Sequence, residues 1–128
     1  MFSQTKFNIS NITKKMITIY HNSRCSKSRE GVCFLENTKE DFQIINYLEN
    51  IPTKDQLKEL LRKLNMTPIE LVRKKETIWL SDYKNKNLSN DQIIQAMIDN
   101  PKLIERPIVV NGDKAVIARP TERIKEIL

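Results

Sequence analysis

The chain has 128 residues, enough to bury one hydrophobic core and too few for two well-built ones. Apolar residues make up 39% and charged residues 30%, a balance typical of globular proteins, and no stretch is long and apolar enough to cross a bilayer, so no membrane association is expected. The net charge of +6 draws heavily on three lysines and no acids in residues 1–15; elsewhere both signs alternate along helix-like segments, without the basic and aromatic interleaving of a nucleic-acid surface, so no nucleic-acid partner is expected.

Residues 1–15 are polar and lack the apolar run of a signal peptide. They are expected to form a disordered leader, with Met16 as the candidate initiator and Asn8-Ile9-Ser10 and Asn11-Ile12-Thr13 left unglycosylated. Residues 16–128 are then one domain. Met16 to His21 alternates and is rich in β-branched residues, which predicts a strand running into a polar turn, Asn22-Ser23-Arg24-Cys25. Ser28, Val32 and Leu35 recur at helical spacing and predict a helix from Ser26 to about Asn37, with Gly31 its weak point. Asp41 to Tyr47 reads as a second strand, giving a β-α-β unit with a parallel crossover.

Thr53-x-x-Gln56 and Ser89-x-x-Gln92 are capping-box patterns ahead of apolar-periodic segments, so the middle of the chain is helical. Short helices are expected between them, from Pro68 to about Lys74 and from Glu76 to about Tyr83. Pro107 to Val110, a tight turn at Asn111-Gly112, and Ala115 to Ala118 make a hairpin. A closing helix runs from Thr121 to Leu128. The predicted order is β-α-β, an all-helical insertion, then β-β-α.

Two cysteines are too few for a secreted disulfide framework, and they do not stand at zinc-ligand spacing with the single histidine, His21. A reducing, cytoplasmic compartment and no metal follow as expectations. Cys25 falls where the first strand gives way to the first helix, so unpaired N–H groups and the positive end of the helix should favour its thiolate. Arg24, Lys27 and Arg29 crowd the same turn and act in the same direction. Ser28 stands where a hydroxyl can reach back toward the sulfur. His21 either assists ionisation of the thiol or merely closes the strand. Cys33, about 12 Å along the helix by its 1.5 Å rise per residue, is too far to pair with Cys25 and reads as a small core residue. With one thiol in Cys25-Ser26-Lys27-Ser28, an external thiol must complete any reduction.

His21-Asn-Ser-Arg-Cys25-Ser-Lys-Ser-Arg29 after a strand, Leu71-Val-Arg73-Lys74, Glu105-Arg106-Pro-Ile-Val-Val110 and Ala118-Arg119-Pro120 together resemble the glutaredoxin-coupled arsenate reductase family, over about Met16 to Leu128. The chain departs from the common pattern at Ser23, Ser26 and Lys27, where the family often has Pro, Gly and Thr. The resemblance implies an α/β, thioredoxin-like fold with a single catalytic cysteine. It implies that Cys25 attacks arsenate and that Arg73, Arg106 and Arg119 bind the oxyanion. Read alone, Arg73 and Arg119 would pass for surface charges. The resemblance further implies a cis peptide before Pro107, opposite the cysteine, whereas trans is the default for any sequence. No tightly bound cofactor is implied; glutathione or another external thiol supplies electrons, a glutaredoxin- or thioredoxin-like protein is the partner, arsenite is the product, and a monomer is expected. Two other readings remain open here: a general glutathione-dependent thiol–disulfide reductase, and a non-enzymatic redox-responsive transcription regulator on the same fold, although Ser28 removes the second thiol of a Cys-x-x-Cys switch.

Overall fold

The structure, a computed structural model, describes residues 16–128. The leader expected over residues 1–15, and with it the choice between Met1 and Met16 as initiator, lies outside the described residues. The chain divides into two compact units, one comprising the chain up to Asn46 together with Arg106–Leu128, the other Tyr47–Glu105.

The first unit carries β1 (Ile17–His21), α1 (Ser26–Glu36), β2 (Phe42–Asn46), β3 (Ile108–Asn111), β4 (Lys114–Ile117) and a closing 3-10 helix, Thr121–Ile127. Its four strands form one mixed sheet in the order β2-β1-β3-β4. β1 runs parallel to β2, pairing Ile17 with Phe42 and His21 with Asn46, and antiparallel to β3, pairing Ile17 with Asn111 and Tyr20 with Ile108. The predicted hairpin is present: Asn111 pairs with Lys114, and the loop residue Gly112 takes the positive φ of 65° that such a short connection demands. With strands on both sides, β1 is the sheet's interior, and Ile17 and Ile19 meet Leu35 of α1, Val109, Val116, Ile124 and Ile127 in one apolar cluster. Each such aliphatic side chain contributes roughly 1.5–3 kcal/mol on burial. This is the α/β, thioredoxin-like arrangement expected from the residues and the resemblance.

The second unit is helical: α2 (Lys54–Leu64), α3 (Thr77–Asp82) and α4 (Asn90–Asp99), with 3-10 turns at Pro68–Leu71 and Pro101–Leu103. Both predicted capping boxes form with reciprocal bonds, at Thr53 with Gln56 and at Ser89 with Gln92, and a third, Thr67 with Glu70, starts the Pro68 turn. The helix expected from Pro68 to Lys74 is shorter, because Val72 turns extended and bridges Ile104 in an antiparallel pair. Arg73 N–H donates to the Leu103 carbonyl at 2.7 Å and Glu105 N–H to the Leu71 carbonyl at 2.9 Å. Likewise the closing segment is a 3-10 helix rather than the α-helix its pattern suggests.

Candidate active site

The turn between β1 and α1 is built around Asn22, a buried polar residue. Its side-chain oxygen accepts from Arg24 N–H at 3.0 Å, its carbonyl accepts from Cys25 N–H at 3.0 Å, and its own N–H donates to the Ser28 hydroxyl oxygen at 3.2 Å. Arg29 reaches back from the second half-turn of the helix to the Ser23 carbonyl at 2.8 Å. These bonds leave Cys25 as the N-cap residue, extended at φ −98° and ψ 123°, with its carbonyl accepting the first helical bond, from Arg29 N–H.

The Cys25 thiol makes no full capping hydrogen bond. Burial pushes its pKa up, but the N–H of Ser28, a hydrogen bond from Arg106, the N–H of Lys27 and the charge of Arg106 together outweigh burial and bring the pKa to about 7. The thiol therefore ionises much more readily than an ordinary cysteine does.

Two of the three expected arginines stand with the sulfur. Arg119 Nη2 lies 3.6 Å from Cys25 Sγ, while its Nε donates to the Arg106 carbonyl at 2.8 Å. Arg106 is half-buried and directs its guanidinium to the same sulfur. The two are brought close by the start of β3 and the end of β4, whose register continues through an Ala118 N–H bond to the Pro107 carbonyl at 2.9 Å. Both Arg106-Pro107 and Arg119-Pro120 are cis. Arg73 is in the helical unit, where it pairs with Glu76 at 3.3 Å and Glu105 at 3.2 Å.

Two expectations, for Ser28 and Cys33, change on contact with the structure. The Ser28 hydroxyl serves the Asn22 N–H, and it is the backbone N–H of Ser28 that acts on the sulfur. His21 Nδ1 is a buried atom with no hydrogen-bond partner, and burial, then the charge of Arg29, lower the pKa of its ring. Cys33 is exposed, not a core residue. The inner face of α1 is Ser28, Gly31 and Leu35, and at 100° per residue Cys33 falls on the outer side. Gly31, the weak point of the helix pattern, has a packing reason: a Cβ there would meet Ile19 Cδ1 at 3.1 Å and Pro107 Cγ at 3.2 Å.

Asn22 and Arg29 organise the turn; the sequence singled out Arg29 only as a charge near the thiol and Asn22 only as part of the polar turn, although the Asn-Ser dipeptide after a strand was an available signal for the second. Among the described residues no group of three or more His, Cys, Asp or Glu side chains could hold a metal, and no helix is long and apolar enough to cross a membrane.

Residues 20–127 match the profile of the ArsC family. The chain is 44% identical over 116 residues to the uncharacterized protein YfgD of Escherichia coli, covering 89% of this chain and 98% of that one. It is 40% identical over 114 residues to an arsenate reductase of Haemophilus influenzae, covering 88% and 98%. Among solved structures, the arsenate reductase from Vibrio cholerae superposes with a TM-score of 0.85 at 41% identity, covering 91% of this chain and all of that one.

Proposed function

Because the chain belongs to the ArsC family, we propose that it is an arsenate reductase whose nucleophile is Cys25. What carries the reading is the pairing of a thiol at pKa about 7 with the guanidinium groups of Arg106 and Arg119 at one helix start. Relatives at this identity that bear the name arsenate reductase support the substrate.

The Cys25 thiolate attacks the arsenic of arsenate. Arg106 and Arg119 offer planar forks of N–H donors to the tetrahedral oxyanion and to the oxygen that leaves, which is protonated to water. The product is a Cys25 sulfur–arsenic(V) adduct. An external thiol, glutathione in this reading, then attacks Sγ; the electron pair of the S–As bond passes to arsenic, which leaves as arsenite, and a disulfide between Cys25 and the thiol forms. A glutaredoxin-like protein exchanges that disulfide and restores Cys25. On the family resemblance Arg73 is the third anion ligand, and its two carboxylate partners fix its guanidinium in place. Residues 16–128 act as one functional domain, monomeric, in the reducing cytoplasm, with no metal and no bound cofactor. In this reading His21 and Ser28 support the turn that carries Cys25, and Pro107 lies against Gly31 of the helix behind it.

The test is arsenite release from arsenate by the purified chain with glutathione and a glutaredoxin. Activity is expected in the wild type. If the wild type released no arsenite yet reduced a glutathione mixed disulfide through Cys25, general thiol–disulfide reduction would replace the arsenate reading.

A further inference from the structure

Residues 22–30, the turn and the start of α1, carry three cations, Arg24, Lys27 and Arg29, against one acid, Glu30. All four are exposed, but their charges are not spent alike. Lys27 lies 3.7 Å from Glu30, which also accepts from the Thr121 hydroxyl at 3.3 Å, so that cation and that acid offset each other. Arg29 gives a donor to the Ser23 carbonyl at 2.8 Å and, after burial, its charge is what lowers the pKa of His21. The side chain of Arg24 makes no hydrogen bond and no ion pair among the described residues.

Arg24 is held in place by its backbone instead. Its N–H donates to Asn22 Oδ1 at 3.0 Å, and the next N–H, that of Cys25, donates to the Asn22 carbonyl at 3.0 Å. Asn22 is buried, so the turn fixes the Cα of Arg24 about 3.8 Å from that of the nucleophile. The ionisation of Cys25 is set by burial, the Ser28 N–H, Arg106 and the Lys27 N–H, and the charge of Arg24 takes no part in it. A charge placed in this way still has a field: at about 10 Å in water one cation enriches a monoanion about twofold and a dianion about fourfold. Such fields set the encounter rates of charged ligands.

We propose that Arg24 is a specificity-determining residue that collects anions in front of Cys25 through its charge alone, favouring a doubly charged oxyanion over neutral or cationic reactants without binding it. This rests on the reading of Cys25 as a nucleophile toward an oxyanion. Arg106 and Arg119 differ from Arg24 in how they act. They offer directed donors at the sulfur, where geometry decides the strength of the bond, whereas Arg24 acts over a distance at which only charge counts. Arg24→Lys therefore keeps the effect, and salt erases it.

The test compares an anionic and a neutral alkylating reagent, iodoacetate and iodoacetamide, on Cys25 in a Cys33→Ser chain. In both reactions the thiolate sulfur displaces iodide from carbon, so the rate ratio cancels the ionised fraction of the thiol and reads the charge in front of it. At low salt, Arg24→Gln is expected to lower the iodoacetate rate about twofold and to leave the iodoacetamide rate unchanged. Arg24→Lys is expected to keep the parent ratio. In about 1 M sodium chloride, where the screening length is about 3 Å, the Arg24→Gln and parent ratios are expected to coincide. With arsenate at low salt, Arg24→Gln is expected to lower kcat/KM about fourfold with kcat unchanged. A ratio that Arg24→Gln leaves in place overturns the proposal, as does a loss that persists in high salt or that Arg24→Lys fails to restore, since either means a directed contact. A fall in both alkylation rates overturns it too, by placing Arg24 in the activation of the sulfur. A shifted ratio without arsenite release keeps the steering and removes the arsenate reading; arsenite release with an unshifted ratio does the reverse.

Discussion

The two cysteines lie at opposite ends of one helix, and their surroundings share almost nothing. Cys25 caps the start of α1, facing unpaired N–H groups, and two guanidinium groups from the far end of the chain converge on its sulfur. Cys33 sits in the third turn, on the outer face, exposed and beyond the reach of Cys25 without unwinding the helix. Residue type is the same, so reactivity is assigned by position: the first turn offers donors that the helix cannot use internally, and the third turn offers none.

The strongest way to break that comparison is to exchange the roles of the thiols. Cys25→Ser is expected to abolish arsenite release, whereas Cys33→Ser is expected to keep the wild-type turnover, both read in the coupled assay. Equal losses in the two variants would mean that the helix end is not what matters. Next in size is the cation at the sulfur. Arg106→Ala is expected to lower kcat/KM for arsenate by about 10²–10³-fold, the usual cost of removing one preorganised donor from developing charge. Arg119→Ala should cost less, because that side chain is exposed and meets the sulfur at 3.6 Å.

Ser28→Ala sharpens the comparison from the side of the turn. It leaves the buried Asn22 N–H without its acceptor, and should destabilise the chain by about 1–3 kcal/mol in a denaturant titration. Unchanged stability would show that the Asn22 turn does not depend on that bond. The smallest effect is expected at Arg73, which already spends its donors on Glu76 and Glu105. Arg73→Ala should raise the KM for arsenate by less than Arg106→Ala does, with kcat little changed.

Local rules carried much of this molecule. Alternation in Ile17-Thr18-Ile19-Tyr20, the Asn111-Gly112 turn and the two Thr/Ser-x-x-Gln boxes all act within a few residues, and the structure contains each of them. What sequence reading missed depends on partners far along the chain. The exposure of Cys33 follows from which face of α1 meets Ile19 and Pro107, a choice made by Gly31 and by a strand more than seventy residues away. The Ser28 hydroxyl accepts from the buried Asn22 N–H, six residues back, a contact no propensity records. The shortened Pro68 helix yielded to the Val72 and Ile104 bridge. At the site itself, the helix start was legible in the turn chemistry around Cys25. That Arg106 and Arg119 share its sulfur was visible only through family resemblance, since sequence spacing alone cannot bring residues 106 and 119 to residue 25.

The central claim is that Cys25 is a thiolate near neutral pH because the first turn of α1 and Arg106 make it one. Iodoacetamide reaction rates of Cys25 across pH, in a Cys33→Ser chain and again with Arg106→Ala added, test it most directly. The rate should rise with pH to half its plateau at about pH 7 in the first chain, as the thiol loses its proton, and the midpoint should move up in the second. A midpoint near the ordinary cysteine value in the first chain, or one that Arg106→Ala leaves in place, would contradict it.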